Sequence, residues 1–186
     1  MKRALLVFGL VFVLSVSFLP AQGRDNPAFG IFINNFSARE YAAGQVTRAE
    51  LDLIIQAGLR TSSAGNRQPW HFTVVQTEAL AKQILPAASE GNVLIVISGP
   101  GTNGSVILDC ALATQSMYLA AQALGLGSRI YTGPINNINS NFKTQLGLPA
   151  DHNAVALVRI GRLPPGVDAV SSASSRNSVE QKVTYK

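Results

Sequence analysis

The run Val93–Ser98, VLIVIS, constrains this chain more than any other stretch. A strand with one wet face alternates apolar and polar side chains. This one is apolar without a break until its final serine, so both of its faces must be covered. A strand of that kind sits in the middle of a sheet, with other layers above and below it. The rest of the chain has to supply those layers.

It supplies both strands and helices. HFTVVQ (71–76), SRIYT (128–132) and AVALVRI (154–160) are short runs rich in β-branched and aromatic residues, and each reads as a strand. Thr47 with Glu50 three residues later is a capping box opening a helix, in which Leu51, Ile54, Ile55 and Leu59 share a face. Thr77 opens a second helix that turns Leu80, Ile84 and Leu85 inward, ended by Pro86. A long helix spans Asp109–Leu124, with the stripe Ala113, Ser116, Met117, Ala120, Ala121 and Leu124, and Gly125 and Gly127 end it. Asn139 or Ser140 caps a short helix carrying Phe142 and Leu146. The segment 161–178 is rich in Ser, Pro and Gly and reads as loose chain, before a closing turn at Val179–Val183. Strands and helices interleave, and neither a repeated βαβ unit nor an all-β spacing is present. The expectation is one α+β domain over residues 24–186, a central mixed or antiparallel sheet with helices on both faces.

The first residues stand apart. Lys2 and Arg3 precede an apolar run, Ala4–Leu19, then Pro20 and the small-residue stretch Ala21–Gly23. This is the pattern of a signal peptide over residues 1–23, and it implies an exported protein, periplasmic or secreted. An uncleaved N-terminal membrane anchor is the alternative, although the run is shorter than the roughly 20 residues that span a bilayer.

Composition removes several functions. Cys110 is the only cysteine and His71 and His152 the only histidines, so neither a disulfide framework, nor a metal site, nor a Cys–His nucleophile is expected. Cys110 falls in an apolar helical pattern and reads as a buried thiol. The formal charge of +5 becomes +3 without residues 1–23, and no basic run exists, which argues against a nucleic-acid partner. Gly99–Gly104 is glycine-rich but lacks the Lys-Ser/Thr ending of a triphosphate-binding loop, and it reads as flexible chain.

The richest polar stretch is Arg60–Phe72, RTSSAGNRQPWHF. Small residues allow close backbone approach, and Asn66 and Gln68 each carry a donor and an acceptor suited to the edge of a planar heterocycle. Pro69 fixes the entry to a strand, and Trp70, the sole tryptophan, anchors by packing.

This stretch resembles the flavin-binding signature of the FMN-dependent nitroreductase family, with Ser63, Asn66, Gln68, Pro69 and Trp70 matching. Three other segments follow in the family's order. Asn34–Tyr41 matches at Ser37, Arg39 and Tyr41, with Asn35 and Phe36 where the family has a basic pair. Asp109–Ser128 resembles the long central helix and its Gly-Leu-Gly end, followed by Thr132 and Gly133. Leu146–Arg162 resembles the final strand, with Arg176 near a late basic residue. The resemblance implies an intertwined homodimer with FMN at its interface. It assigns Ser37, Arg39 and Arg176 to the phosphate, and Ser63, Asn66, Gln68, Thr132 and Gly133 to the rest of the cofactor. It implies ping-pong transfer of electrons from NAD(P)H to a nitroaromatic, quinone or similar acceptor, with no protein side chain as catalyst. The alternatives are a non-enzymatic FMN-binding or carrier protein and an apo scaffold on the same fold.

Overall fold

The computed structural model describes residues 27–167 and 175–186. The leader reading of residues 1–23 therefore lies outside the described residues. Among the described residues no helix is long and apolar enough to cross a membrane.

Four strands form one sheet: β1 (His71–Val75), β2 (Val93–Pro100), β3 (Gly127–Tyr131) and β4 (His152–Gly161), ordered β1-β2-β4-β3. All three pairings are antiparallel. The alternatives of a mixed or antiparallel sheet thus resolve to the second. β2 is central, as its unbroken apolar run requires, and Val93 to Gly99 are all buried. Its register with β4 shifts between Ile97 and Ser98, where a bulge places one extra β4 residue.

Alternation along β2 divides the core in two. Val93, Ile95 and Ile97 pack with Leu51 and Ile54 of α2 (Arg48–Leu59) and with Cys110, Ala113, Met117 and Ala121 of α4 (Gly104–Ala123). Leu94 and Val96 face Ala81 and Ile84 of α3 (Glu78–Ile84), and Ile138 just after α5 (Ile135–Asn137). Each fully buried Ile or Leu contributes about 1.5–3 kcal/mol, which makes this two-sided covering the main source of stability.

The local signals act as their chemistry dictates. Thr47 caps α2 through Glu50 N–H, and the Glu50 carboxylate accepts the Thr47 N–H at 2.8 Å. Gly125, at φ 74°, closes α4 in a conformation that only glycine adopts cheaply. Leu59 departs from the inward face expected of it and is 49% exposed, because α2 ends there. The long helix starts five residues earlier than its apolar pattern suggests. Asn103 accepts the Ser105 N–H at 2.9 Å and nucleates α4 at Gly104, while Gly99 and Pro100 complete β2 instead of forming loop. Asn139 caps no helix. Its amide brackets the free edge of β4, accepting the Ala154 N–H at 2.7 Å and donating to Ala154 O at 3.2 Å. The preceding α1 (Pro27–Asn34) and the closing α6 (Val179–Lys182) complete the described elements.

Candidate functional site

The loop from Thr61 to Pro69 joins α2 to β1 and is pinned to α4 at two points. Asp109 Oδ1, 3% exposed, accepts the Ala64 N–H at 3.1 Å. Two helical turns further on, Ser116 Oγ accepts the Thr61 hydroxyl at 2.8 Å. Between these pins the loop closes on Ser63, whose carbonyl accepts the Asn66 N–H at 3.0 Å and whose hydroxyl accepts the Gln68 N–H at 2.9 Å. The turn is left-handed at Gly65 (φ 59°), Asn66 (φ 54°) and Gln68 (φ 48°). Two non-glycine residues at positive φ within three positions store strain, which the surrounding hydrogen bonds must hold.

That geometry turns the Asn66 and Gln68 side chains to solvent, where the Gln68 amide donates to Asn66 Oδ1 at 3.1 Å. A paired, outward amide edge with both donor and acceptor capacity suits an imide-like heterocycle. Trp70 turns the other way. It is buried and stacks on Phe72, with ring centroids 6.3 Å apart and planes 7° apart, so it packs the α4 side of the sheet.

Ser37 and Arg39, both exposed, sit elsewhere. Their segment lies against the start of β3, where Ala38 N–H donates to Ser128 O at 3.0 Å. Phe36 is held by Gln122 of α4, which accepts its N–H at 3.1 Å and donates to its carbonyl at 2.9 Å. Gln122 and Asp109 are thirteen residues apart on one helix, about 20 Å at 1.5 Å per residue. The Ser37–Arg39 segment and the Asn66–Gln68 turn thus stand at opposite ends of the sheet, beside opposite edge strands. Thr132 and Gly133, both exposed, follow the far end of β3, so Ser37, Arg39, Thr132 and Gly133 lie along one sheet edge. Arg176 follows residues 168–174, which are not described, and its guanidinium donates to Ser175 O at 3.4 Å.

Near the Gly133 end, a cavity of about 330 Å³ is lined by Gly101, Thr102, Ile107, Asn139, Asn153, Ala154 and Val155. Its walls are largely apolar with a few amides, as small-molecule sites are. Asn35, where the resemblance places a base, is engaged locally: its amide donates to Phe32 O at 2.6 Å.

Three features at this end of the fold carry no signal in the sequence. Asp109 is one, since nothing in its spacing points to Ala64. The two histidines are another, brought edge to face at 6.1 Å across β1 and β4, with His152 Nδ1 3.2 Å from the buried Ser98 hydroxyl between them. The third is Cys110, whose identity as a buried thiol was legible but whose partner, Ser98 O at 3.7 Å, was not. Burial, with Asp109 beside it, pushes the Cys110 thiol up to about 11, which leaves it protonated and unreactive. Among the described residues no group of His, Cys, Asp and Glu is arranged to hold a metal ion.

Residues 35–96 and 90–162 match the family model described as "Nitroreductase family". An Archaeoglobus fulgidus protein named as an NADH dehydrogenase/NAD(P)H nitroreductase is 30% identical over 138 residues, 67% of this chain and 79% of that protein. A nitroreductase from Desulfovibrio desulfuricans, solved in complex with FMN, is 26% identical with a TM-score of 0.74, covering 87% of this chain and 98% of that one. A Bacteroides fragilis nitroreductase with bound FMN shares the fold at 20% identity, with a TM-score of 0.73 over 87% of this chain and 99% of that one.

Proposed function

This chain belongs to the nitroreductase family, and from that premise we propose that it passes electrons from NAD(P)H, by way of FMN, to a nitroaromatic, quinone or similar acceptor in a ping-pong cycle. The chain is an oxidoreductase of the FMN type; donor, acceptor and order of events are the proposed part. The observation that carries the reading is the Ser63–Gln68 turn. Its strained backbone is held by α4, and it turns two amide side chains outward.

The residues fit FMN. The amides of Asn66 and Gln68 would meet the pyrimidine edge, and the Ser37 hydroxyl and Arg39 guanidinium would meet the phosphate. Thr132 and Gly133 would lie along the ring, with Ser63 closing the turn and Arg176 adding a second cation at the phosphate. FMN, when bound, supplies the redox chemistry, accepting and returning a hydride equivalent. The protein's share is to hold the ring edge, neutralise the phosphate and keep apolar walls around the reacting face. No side chain here needs to act as a nucleophile.

We further propose a homodimer. The Asn66–Gln68 turn and the Ser37–Arg39 segment are far apart on one chain, so a second copy would bring one chain's turn to the other's phosphate end. Leu53 and Leu59 of α2 and Ile107, Leu108 and Leu112 of α4, exposed by 41–60%, offer an apolar face for that contact. Export directed by residues 1–23 belongs to the same proposal. A mature N-terminus at or near Arg24 in secreted material would support it, and an intact Met1 would not.

The test is the absorbance of the purified protein. Bands near 450 nm (roughly, for oxidised flavin) that bleach on anaerobic addition of NADH or NADPH are expected. A colourless protein that takes up no added FMN would overturn the reading. The engagement of Asn35 favours one variant of it: a yellow protein that no nicotinamide bleaches would be an FMN-binding or carrier protein on the same fold.

A further inference from the structure

Asp109 is 3% exposed, and its carboxylate accepts the Ala64 backbone N–H at 3.1 Å. Among the described residues no lysine or arginine forms an ion pair with it. A buried carboxylate that gains so little from its surroundings costs stability, and in an apolar core a leucine would cost less. What the carboxylate does hold is the signature turn.

Four backbone donors of that turn are used. Ala64 N–H goes to Asp109, Asn66 N–H to Ser63 O, Arg67 N–H to Ala64 O and Gln68 N–H to Ser63 Oγ. Only the Ala64 bond reaches outside the turn to the rigid helix. The other three keep its shape but do not fix its direction. The turn carries left-handed backbone at Gly65, Asn66 and Gln68, so without an external hold it would relax toward the ordinary conformations of Asn and Gln. Ser116, two helical turns on, holds the loop's other end at Thr61 and sets no angle within Gly65–Gln68.

We infer that Asp109 is a positioning residue of the site: through Ala64 N–H it locks the strained turn so that Asn66 and Gln68 present a pre-formed hydrogen-bonding edge to the bound ring. The inference rests on the flavin reading for the identity of that ring. Its physical content is preorganisation. A turn already held in its binding shape loses little entropy when the ligand arrives, and a free turn loses more. The group needed is an acceptor at the Oδ1 position, not a charge. Asn at 109 keeps that acceptor and Ala removes it.

The experiment measures FMN affinity and amide exchange together in Asp109→Ala, Asp109→Asn, Asn66→Ala and the double variant Asp109→Ala/Asn66→Ala. Asp109→Ala should weaken FMN about 10–100-fold, the scale of one buried hydrogen-bonding group left without its partner. Asp109→Asn should stay within about threefold of the parent, because its carbonyl still accepts. In the Asn66→Ala background, loss of Asp109 should cost clearly less than it does in the parent, because only Gln68 is left for it to position. Exchange should rise at Ala64 to Gln68 and not across β2. Unchanged affinity and unchanged exchange in Asp109→Ala would overturn the inference, as would fully additive losses in the double variant. Should Asp109→Ala fail to fold, Asp109→Asn alone decides: a tenfold loss of FMN there with the turn's exchange unaltered would mean that the charge mattered and the positioning did not. If the parent protein binds no FMN, the flavin reading fails, while the exchange of Ala64 still tests the hold on the turn.

Discussion

The guanidinium of Arg159 lies over the ring of Tyr41, 3.9 Å from its centroid, and among the described residues no carboxylate forms an ion pair with it. Arg159 is 5% exposed, and its Nε donates to Asn92 Oδ1 at 2.6 Å and its Nη2 to Ser89 Oγ at 3.2 Å. The Tyr41 ring in turn lies against the cross-strand pair Gly127 and Gly161, where a Cβ would come within 3.2 Å and 2.8 Å of it, respectively. This stack fixes the end of the segment that carries Ser37 and Arg39. The Tyr41 hydroxyl is buried and finds no partner among the described residues, and burial raises its pKa well above the usual tyrosine value.

Tyr41→Phe should therefore be neutral or stabilising by up to about 1 kcal/mol, since it removes an unsatisfied hydroxyl and keeps the ring under Arg159. Arg159→Ala should cost about 2–4 kcal/mol through the lost cation–π contact and the loss of its hydrogen bonds to Asn92 and Ser89. Urea denaturation of the two variants reads both signs.

Glu50 and Arg162 predict the acid limb of stability. Two parallel bonds of 2.7 Å join them, and this pairing, with the Thr47 bonds adding to it, holds the Glu50 carboxyl down at about 2. A depressed folded pKa gives stability that is complete above the ordinary value of 4.5 and is lost as pH falls from there toward 2. Both side chains are partly exposed, so solvent screening limits the term to about 1 kcal/mol. Glu50→Gln should flatten the melting temperature between those pH values, whereas the parent should lose it steadily.

Cys110 predicts a silent thiol. It is fully buried and its pKa is raised, so 5,5′-dithiobis(2-nitrobenzoate) at pH 8 should react negligibly with the native protein and stoichiometrically in denaturant. Rapid reaction without denaturant would mean that α4 opens away from β2.

Two glycines should differ sharply in their tolerance of alanine. At Gly58 a Cβ would meet Met117 Cγ at 2.9 Å, a side chain that can shift, and Gly58→Ala should cost about 1–3 kcal/mol. At Gly91 it would strike the Gly44 carbonyl, a backbone atom that cannot yield, at a φ of 76°. Gly91→Ala should cost more than about 3 kcal/mol and could block folding outright. Thermal melts of the pair give the order.

What the sequence disclosed follows from the range over which each signal acts. VLIVIS announced a central strand because burial on both faces leaves no polar position in the run. Thr47 and Glu50 announced a helix start because a cap is completed within one turn. Gly104 as a start was hidden, since Asn103 and its glycine neighbours look like loop until the Asn side chain is seen on Ser105 N–H. Asn66 and Gln68 were legible as a polar edge because their chemistry is their own. Asp109 on Ala64, and His71 against His152 across 81 positions, were not. Those pairings arise only when the sheet sets its register, and no local spacing encodes them.

The distance between the Ser37–Arg39 segment and the Asn66–Gln68 turn has a genetic consequence. If each cofactor site draws its phosphate end from one chain and its ring edge from the other, damage in different halves is separable. Arg39→Ala homodimers and Asn66→Ala homodimers would each be poor at holding FMN. When the two chains are unfolded together and refolded as a mixture, each hybrid particle gathers both lesions into one site and leaves its second site intact. Random assortment would then restore about a quarter of the parental sites, whereas a site built within one chain would show no recovery at all. Two defective alleles would make a working protein together that neither makes alone.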